Sequence, residues 1–158
     1  ERDRLYREGY LPSDFQAEVL HNGLPIDTLV REASSEDPAA TRHALGIPKD
    51  ARVVLFACRL AADKNALAFI EIARRVVAHP GRTKPVYFLV AGDGPYAASF
   101  KAAFEPGACL AEHGQYLGFR SDMPKLLAAS DLTISTSLQE GFGLRVLESL
   151  ACGKPCIT

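Results

Sequence analysis

Between Ala51 and Thr158, two short apolar runs (ARVVLFACR and PVYFLVAG) and a third strand, DLTIST, alternate with segments whose apolar residues recur at helical spacing. An apolar run without polar alternation suits a strand buried on both faces, and parallel strands need a crossover, usually helical, to join them. Asn65 to His79 places Ile70, Ala73 and Val77 on one helical face and stops at Pro80-Gly81. Pro95 to Phe104 reads as a second helix, and Asp122 to Ala129 as a third, with Ser121 or Asp122 as its cap. Gly143 to Cys152 reads as a fourth, ended by Gly153 and Pro155. A short strand is expected near Gln115 to Leu117, and KPCIT begins another. The pattern specifies an α/β fold with right-handed crossovers and a doubly wound parallel sheet. In such sheets ligands bind beyond the carboxyl ends of the strands, near the point where strand order reverses.

The first fifty residues are less regular. Glu1 to Tyr10 reads as helix, LPSD as a turn, and FQAEVL as a short strand closed by Asn22-Gly23. Residues 31–50 are polar and linker-like, with a short helix from Pro38 to Leu45. They are too few to separate two domains, and 158 residues suit one. A net charge of −1 gives no overall reason to bind nucleic acid or an anionic membrane, so any anion site must be local. Cys58, Cys109, Cys152 and Cys156 form no CxxC pair, which suits free thiols in a reducing compartment; cytoplasmic is the expected location. His21, His43, His79 and His113 have neither triad nor metal spacing. No apolar run approaches the roughly 20 residues that span a bilayer, and no secretory signal opens the chain.

Three loops follow strands, and each has a chemical and a plain reading. Arg59 ends the first strand and Lys64 stands about where the next helix begins. Two cations beside free helix N–H groups make a phosphate site. The spacing by itself favours the plain reading, solvated charges with Asp63 capping the helix. Gly92-Asp93-Gly94-Pro95 follows the second strand. A tight turn accounts for it, although small residues at Gly92 also let a ligand approach the backbone. Glu140, Gly141, Phe142 and Gly143 follow DLTIST. Their glycines leave the N–H groups of the helix start accessible, and Glu140 can face the same cleft. At about 100° per residue, Leu144, Leu147, Leu150 and Ala151 share an arc, with Arg145 and Ser149 opposite. Glu148 borders the apolar arc, where a carboxylate is either paired or faces a cleft. Phe119 and Arg120 offer a ring and a guanidinium that could stack on a base. Walker and GxGxxG signatures are missing.

Taken together these residues resemble the C-terminal, Rossmann-like half of the group 1 glycosyltransferases, a large retaining family of GT-B architecture. The matching stretches run in the family's order: HNGLPID, R-x4-K at Arg59 and Lys64, VAGDGP, YLGFRSDMPKLLAASDL, and STSLQEGFGLRVLESLACGKP with its E-x7-E pair. The resemblance implies that residues 1–158 form the nucleotide-sugar (donor) domain, with 1–20 a connecting helix and strand. It implies that Arg59 and Lys64 bind the donor diphosphate and stabilise the departing nucleoside diphosphate, while Glu140 contacts the transferred hexosyl group. Backbone through Gly141, Phe142, Gly143 and Leu144 would hold sugar hydroxyls and phosphate, and Glu148 the ribose hydroxyls. The backbone around Phe119 and Arg120 would meet the base of a UDP-, GDP- or ADP-hexose, with Gly92 bordering the donor. No metal and no separate cofactor is expected. Thr136 stands where many relatives have proline, away from these contacts, and NGID is interrupted by Leu24-Pro25. The acceptor site is expected on an N-terminal domain that does not precede Glu1 here, which makes the isolated chain a donor binder without transfer activity. Two alternatives share the scaffold: another GT-B enzyme such as a sugar-nucleotide epimerase, and a non-catalytic nucleotide-binding module.

Overall fold

The computed structural model describes residues 2–158 other than Ala17, Val19, His21, Asn22 and Gln139. In chain order the elements are helices α1 (Arg2–Arg7), α2 (Ile26–Ser35) and α3 (Pro38–Ala44), then strand β1 (Arg52–Ala57) and helix α4 (Ala66–Ala78). Next come β2 (Val86–Ala91), α5 (Ala97–Phe104), β3 (Gly114–Tyr116), α6 (Met123–Ala129), β4 (Leu132–Ile134), α7 (Leu144–Ala151) and β5 (Cys156–Ile157). The strands form one parallel sheet in the order β3-β2-β1-β4-β5. The chain winds outward from β1 to β3, then returns to the other side of β1 for β4 and β5. The reversal of strand order therefore falls between β1 and β4.

The apolar runs became the inner strands because both of their faces are covered. Val54 and Phe56 face a core with Phe69, Phe88 and Phe100, in which Phe56 stacks on Phe69 at 4.2 Å between ring centroids. Val53 and Leu55 face the opposite core, against Ile47, Leu126 and Leu127. The alternation along β1 thus feeds two cores, one under α4 and α5 and one under α6 and the segment that follows Ala44.

The amino ends of β1 and β4 are stitched by one carboxylate. Asp131 accepts the Val53 N–H at 2.7 Å and pairs with Arg42 at 3.0 Å and Arg52 at 3.4 Å. Arg42 also donates to the Ala129 carbonyl, tying α3 to the end of α6. Burial alone would raise the Asp131 pKa, but the Val53 N–H and the arginines outweigh it and hold the carboxyl low.

The start of the linker-like stretch is structured. Residues 26–35 form helix α2, which packs on α6 and α7, because Ile26, Leu29, Val30 and Ala33 recur at helical spacing. The helix expected from Pro38 is present as α3, capped by the Asp37 side chain on the N–H groups of Ala39 and Ala40. The strand read at FQAEVL falls partly on Ala17 and Val19, outside the described residues, as does Asn22 of the expected turn; Phe15, Gln16, Glu18 and Leu20 form no strand. Among the described residues no helix is long and apolar enough to cross a membrane.

Candidate functional site at the strand-order reversal

The loops after β1, β2 and β4 meet beyond the carboxyl ends of the strands around a cavity of about 580 Å³. Arg59, Lys64, Gly92, Phe119, Arg120, Glu140, Phe142, Gly143, Leu144 and Glu148 all line it. Gly141 is exposed and does not border it. Among the described residues, no three His, Cys, Asp or Glu side chains cluster so as to hold a metal ion.

The loop after β1 does not run straight into a helix. Ala62–Lys64 forms a single 3-10 turn, and α4 begins only after Asn65, whose left-handed backbone (φ 46°) marks the junction. Asp63 therefore caps nothing in α4. It pairs with Arg59 at 2.9 Å, and that bond holds its carboxyl below the usual range. Lys64 Nζ reaches across to Glu140 Oε1 at 2.7 Å, so the two loops flanking the reversal are joined by an ion pair. Glu140 is held low, first by Lys64 and then by the Ser137 hydroxyl. A second tie joins the same loops: Thr136 Oγ1 donates to the Lys64 carbonyl at 2.8 Å. Thr136 thus bears directly on a proposed contact residue, contrary to the expectation that it stands apart from them.

The glycine after β2 serves the backbone itself. A Cβ on Gly92, at φ 149°, would lie 1.9 Å from the Cys58 carbonyl oxygen. The turn thus answers to chain packing, with the β1 loop pressed against it. Cys58 faces the cavity, and burial pushes its thiol up to about 11 against the opposing pull of Lys64.

Gly143 takes a left-handed conformation (φ 71°, ψ 44°) at the N-cap of α7, which turns the chain sharply into the helix. Glu148 sits on the cavity side and pairs with Arg145 one turn back at 2.5 Å. The orientation of α7 differs from its expected arc. Ser149 is 0% exposed whereas Leu150 is 55% exposed. A buried hydroxyl chain explains the rotation: Thr133 Oγ1 donates to Ser149 Oγ at 2.7 Å, and Ser149 Oγ donates to the Lys154 carbonyl at 2.9 Å. This chain locks α7 to β4 and thereby sets where Glu148 points. Phe119 is 77% exposed. Arg120 is forked onto Asp122 at 2.7 and 2.5 Å, which holds the Asp122 carboxyl low and leaves α6 without a side-chain cap.

Sequence reasoning named both glutamates, Arg59 and Lys64, but missed the partners that hold two of them. Arg145 had a signal, because it stands three positions before Glu148 on one helix. Thr136 had none, since its bond joins loops 72 residues apart.

A parallel, doubly wound sheet with a charge-lined cleft at its reversal point defines a Rossmann-like ligand-binding domain. A sequence model described as "Glycosyl transferases group 1" matches residues 38–158, and the chain belongs to that family. The chain is 30% identical over 139 residues to UDP-Gal:alpha-D-GlcNAc-diphosphoundecaprenol alpha-1,3-galactosyltransferase of Escherichia coli, covering 88% of this chain and 35% of that one. It is 31% identical over 128 residues to 2-deoxystreptamine N-acetyl-D-glucosaminyltransferase of Streptomyces fradiae, covering 80% and 30%. The crystal structure of Anabaena Alr3699/HepE in complex with UDP and glucose superposes with a TM-score of 0.67 at 28% identity, covering 88% of this chain and 37% of that one. The chain thus spans about a third of the length of these curated relatives. Its fold is that of the C-terminal half of GT-B glycosyltransferases.

Proposed function

We propose that this chain is the donor-binding domain of a retaining glycosyltransferase, holding a nucleoside diphosphate hexose in the cleft between the β1 and β4 loops. The observation that carries the reading is the convergence of Lys64, Glu140 and Glu148 on one cavity at the reversal point. A nucleotide sugar needs cations for its diphosphate and acceptors for its hydroxyls, and that cavity offers both. UDP bound to the Anabaena relative supports the same ligand class.

In this reading Arg59 and Lys64 face the diphosphate, and their charge grows in value as the sugar–oxygen bond breaks and negative charge collects on the leaving group. Arg59 must first leave Asp63; the pair is exposed and solvent screens it, so it gives way readily. Lys64 exchanges Glu140 for phosphate, which frees a carboxylate for the sugar hydroxyls. Glu148 takes the ribose diol, since a carboxylate can accept from two hydroxyls. Backbone from Phe142 to Leu144 lines the sugar and phosphate, and the segment at Phe119 and Arg120 borders the base. No metal is needed, because the cations and the start of α7 supply the counter-charge. The acceptor comes from a second domain across the cleft.

Calorimetry with UDP, GDP and ADP, then with their hexose conjugates, tests the reading. One nucleotide is expected to bind, Glu148→Ala to weaken it, and Glu140→Gln to act mainly on the hexose conjugate. A folded chain that binds none of them, or a ligand indifferent to both changes, overturns it.

A further inference from the structure

Lys64 is fixed at three points. Its N–H donates to the Ala61 carbonyl at 3.2 Å, its carbonyl accepts from Thr136 Oγ1 at 2.8 Å, and its Nζ meets Glu140 at 2.7 Å. The third of these is the one a phosphate would replace. What then holds the lysine in place is its backbone, and the carbonyl side of that backbone is anchored from another loop.

The next residue makes the anchor necessary. Asn65 is the single non-glycine residue with positive φ among the described residues. Such a conformation costs on the order of 1 kcal/mol and persists only where the surroundings over-determine it. Relaxation of Asn65 would swing the Lys64 carbonyl and carry the side chain with it. Thr136 stands immediately beyond β4, beside β1 in the sheet, so its hydroxyl spans the reversal point and holds the 3-10 turn against the opposite wall of the cleft.

We propose that Thr136 is a positioning residue for Lys64, fixing the backbone from which the ammonium group reaches the donor diphosphate once Glu140 has been exchanged. The proposal rests on the diphosphate reading of the cleft. Lysine carries four rotatable bonds and forms no fork, so a point charge of this kind depends on a fixed backbone more than arginine does. Proline at position 136 could not make the bond, having no hydroxyl to donate. The tie therefore depends on the Thr136 hydroxyl and on the Lys64 backbone carbonyl that accepts from it.

The test is a double-mutant cycle on the 158-residue chain. UDP, GDP and ADP are each titrated by calorimetry, and the tightest is carried forward. Thr136→Val keeps the shape and removes the donor; it is expected to weaken binding about threefold to tenfold, the value of one net hydrogen bond. Thr136→Ser is expected to restore parental affinity. In a Lys64→Gln background the Thr136→Val change is expected to have no further effect, which a merely structural role would not produce. Circular dichroism melts check folding, and Thr136→Ala replaces the valine variant if that one melts early. Parental affinity in Thr136→Val, with Lys64→Gln weakened, overturns the positioning role and leaves the diphosphate reading standing. An equal loss in both backgrounds, or no rescue by serine, overturns it too. Indifference to Lys64→Gln, or a parent chain that binds none of the three nucleotides, overturns the diphosphate reading and the positioning role with it.

Discussion

Cys58 stands at the mouth of the cleft between the backbone of Gly92 and the charges of Lys64 and Glu140, and its chemistry follows from burial. The ordinary thiol value of 9.0 is pushed up to about 11. Thiolate is the reactive form, so two pH units remove about a hundredfold of it at neutral pH. At pH 8, iodoacetamide is expected to label exposed Cys109 first and Cys58 about a hundredfold more slowly than in urea-unfolded chain. Peptide mapping by mass spectrometry reads the order. Equal rates for folded and unfolded Cys58 would contradict its burial. The sign for stability follows: the fold binds this proton more tightly than the unfolded chain, so the benefit is full below pH 9 and is lost as pH climbs toward 11. The glutamates of the E-x7-E pair could be read in sequence because their spacing is local. Their ion-pair partners come from the turn of one helix in one case and from a separate loop in the other.

Helix α7 illustrates how much one buried polar contact decides at the scale of an element. By apolar spacing its leucines face inward, yet the hydroxyl chain from Thr133 through Ser149 to the Lys154 carbonyl turns Ser149 to the sheet. No hydrophobic pattern encodes that preference, which is why the sequence reading put Ser149 on the wrong side. Helix α2 failed for a different reason: its apolar spacing was present but its polar composition read as linker. Ser149→Ala leaves a buried Thr133 hydroxyl and the Lys154 carbonyl without their partner, and is expected to cost about 1–3 kcal/mol in urea denaturation. Thr133→Val removes only the first bond and is expected to cost less, about 0.5–1.5 kcal/mol. Combined, the two changes should cost less than their sum, because both remove the same bond. Strict additivity would mean the chain is not coupled. Since Ser149 neighbours Glu148, the alanine variant should also weaken nucleotide binding in molecules that remain folded.

Across the whole molecule, the candidate cleft and the Asp131 network sit at opposite ends of one sheet. The sheet was legible because β1 and β2 are continuous apolar runs with helices between them, a pattern with few other solutions. The cleft's location followed from topology, but the Lys64–Glu140 pair across it did not, since a long-range ion pair leaves no spacing. At the amino ends, Asp131 gathers the Val53 N–H, Arg42 and Arg52. Its carboxyl is held below 3.8, so at acid pH the unfolded chain takes up its proton first. That uptake favours unfolding, and the contribution is therefore full above about pH 4 and declines as pH falls through the folded value. Glu140, Asp63 and Asp122 are lowered as well, but they are more exposed and solvent screens their pairs. Asp131→Asn keeps an oxygen for the Val53 N–H and loses the charge for both arginines, an expected cost of about 1–3 kcal/mol at pH 7. Urea denaturation from pH 7 to pH 2.5 should show parent and variant converging below pH 3.8, because acid removes from the parent what the substitution removed from the variant. A constant gap across that range would mean that Asp131 is not held low. Nucleotide affinity at pH 7 should be the same for both, since the residue that fails in acid lies at the far end of the strands from the cleft.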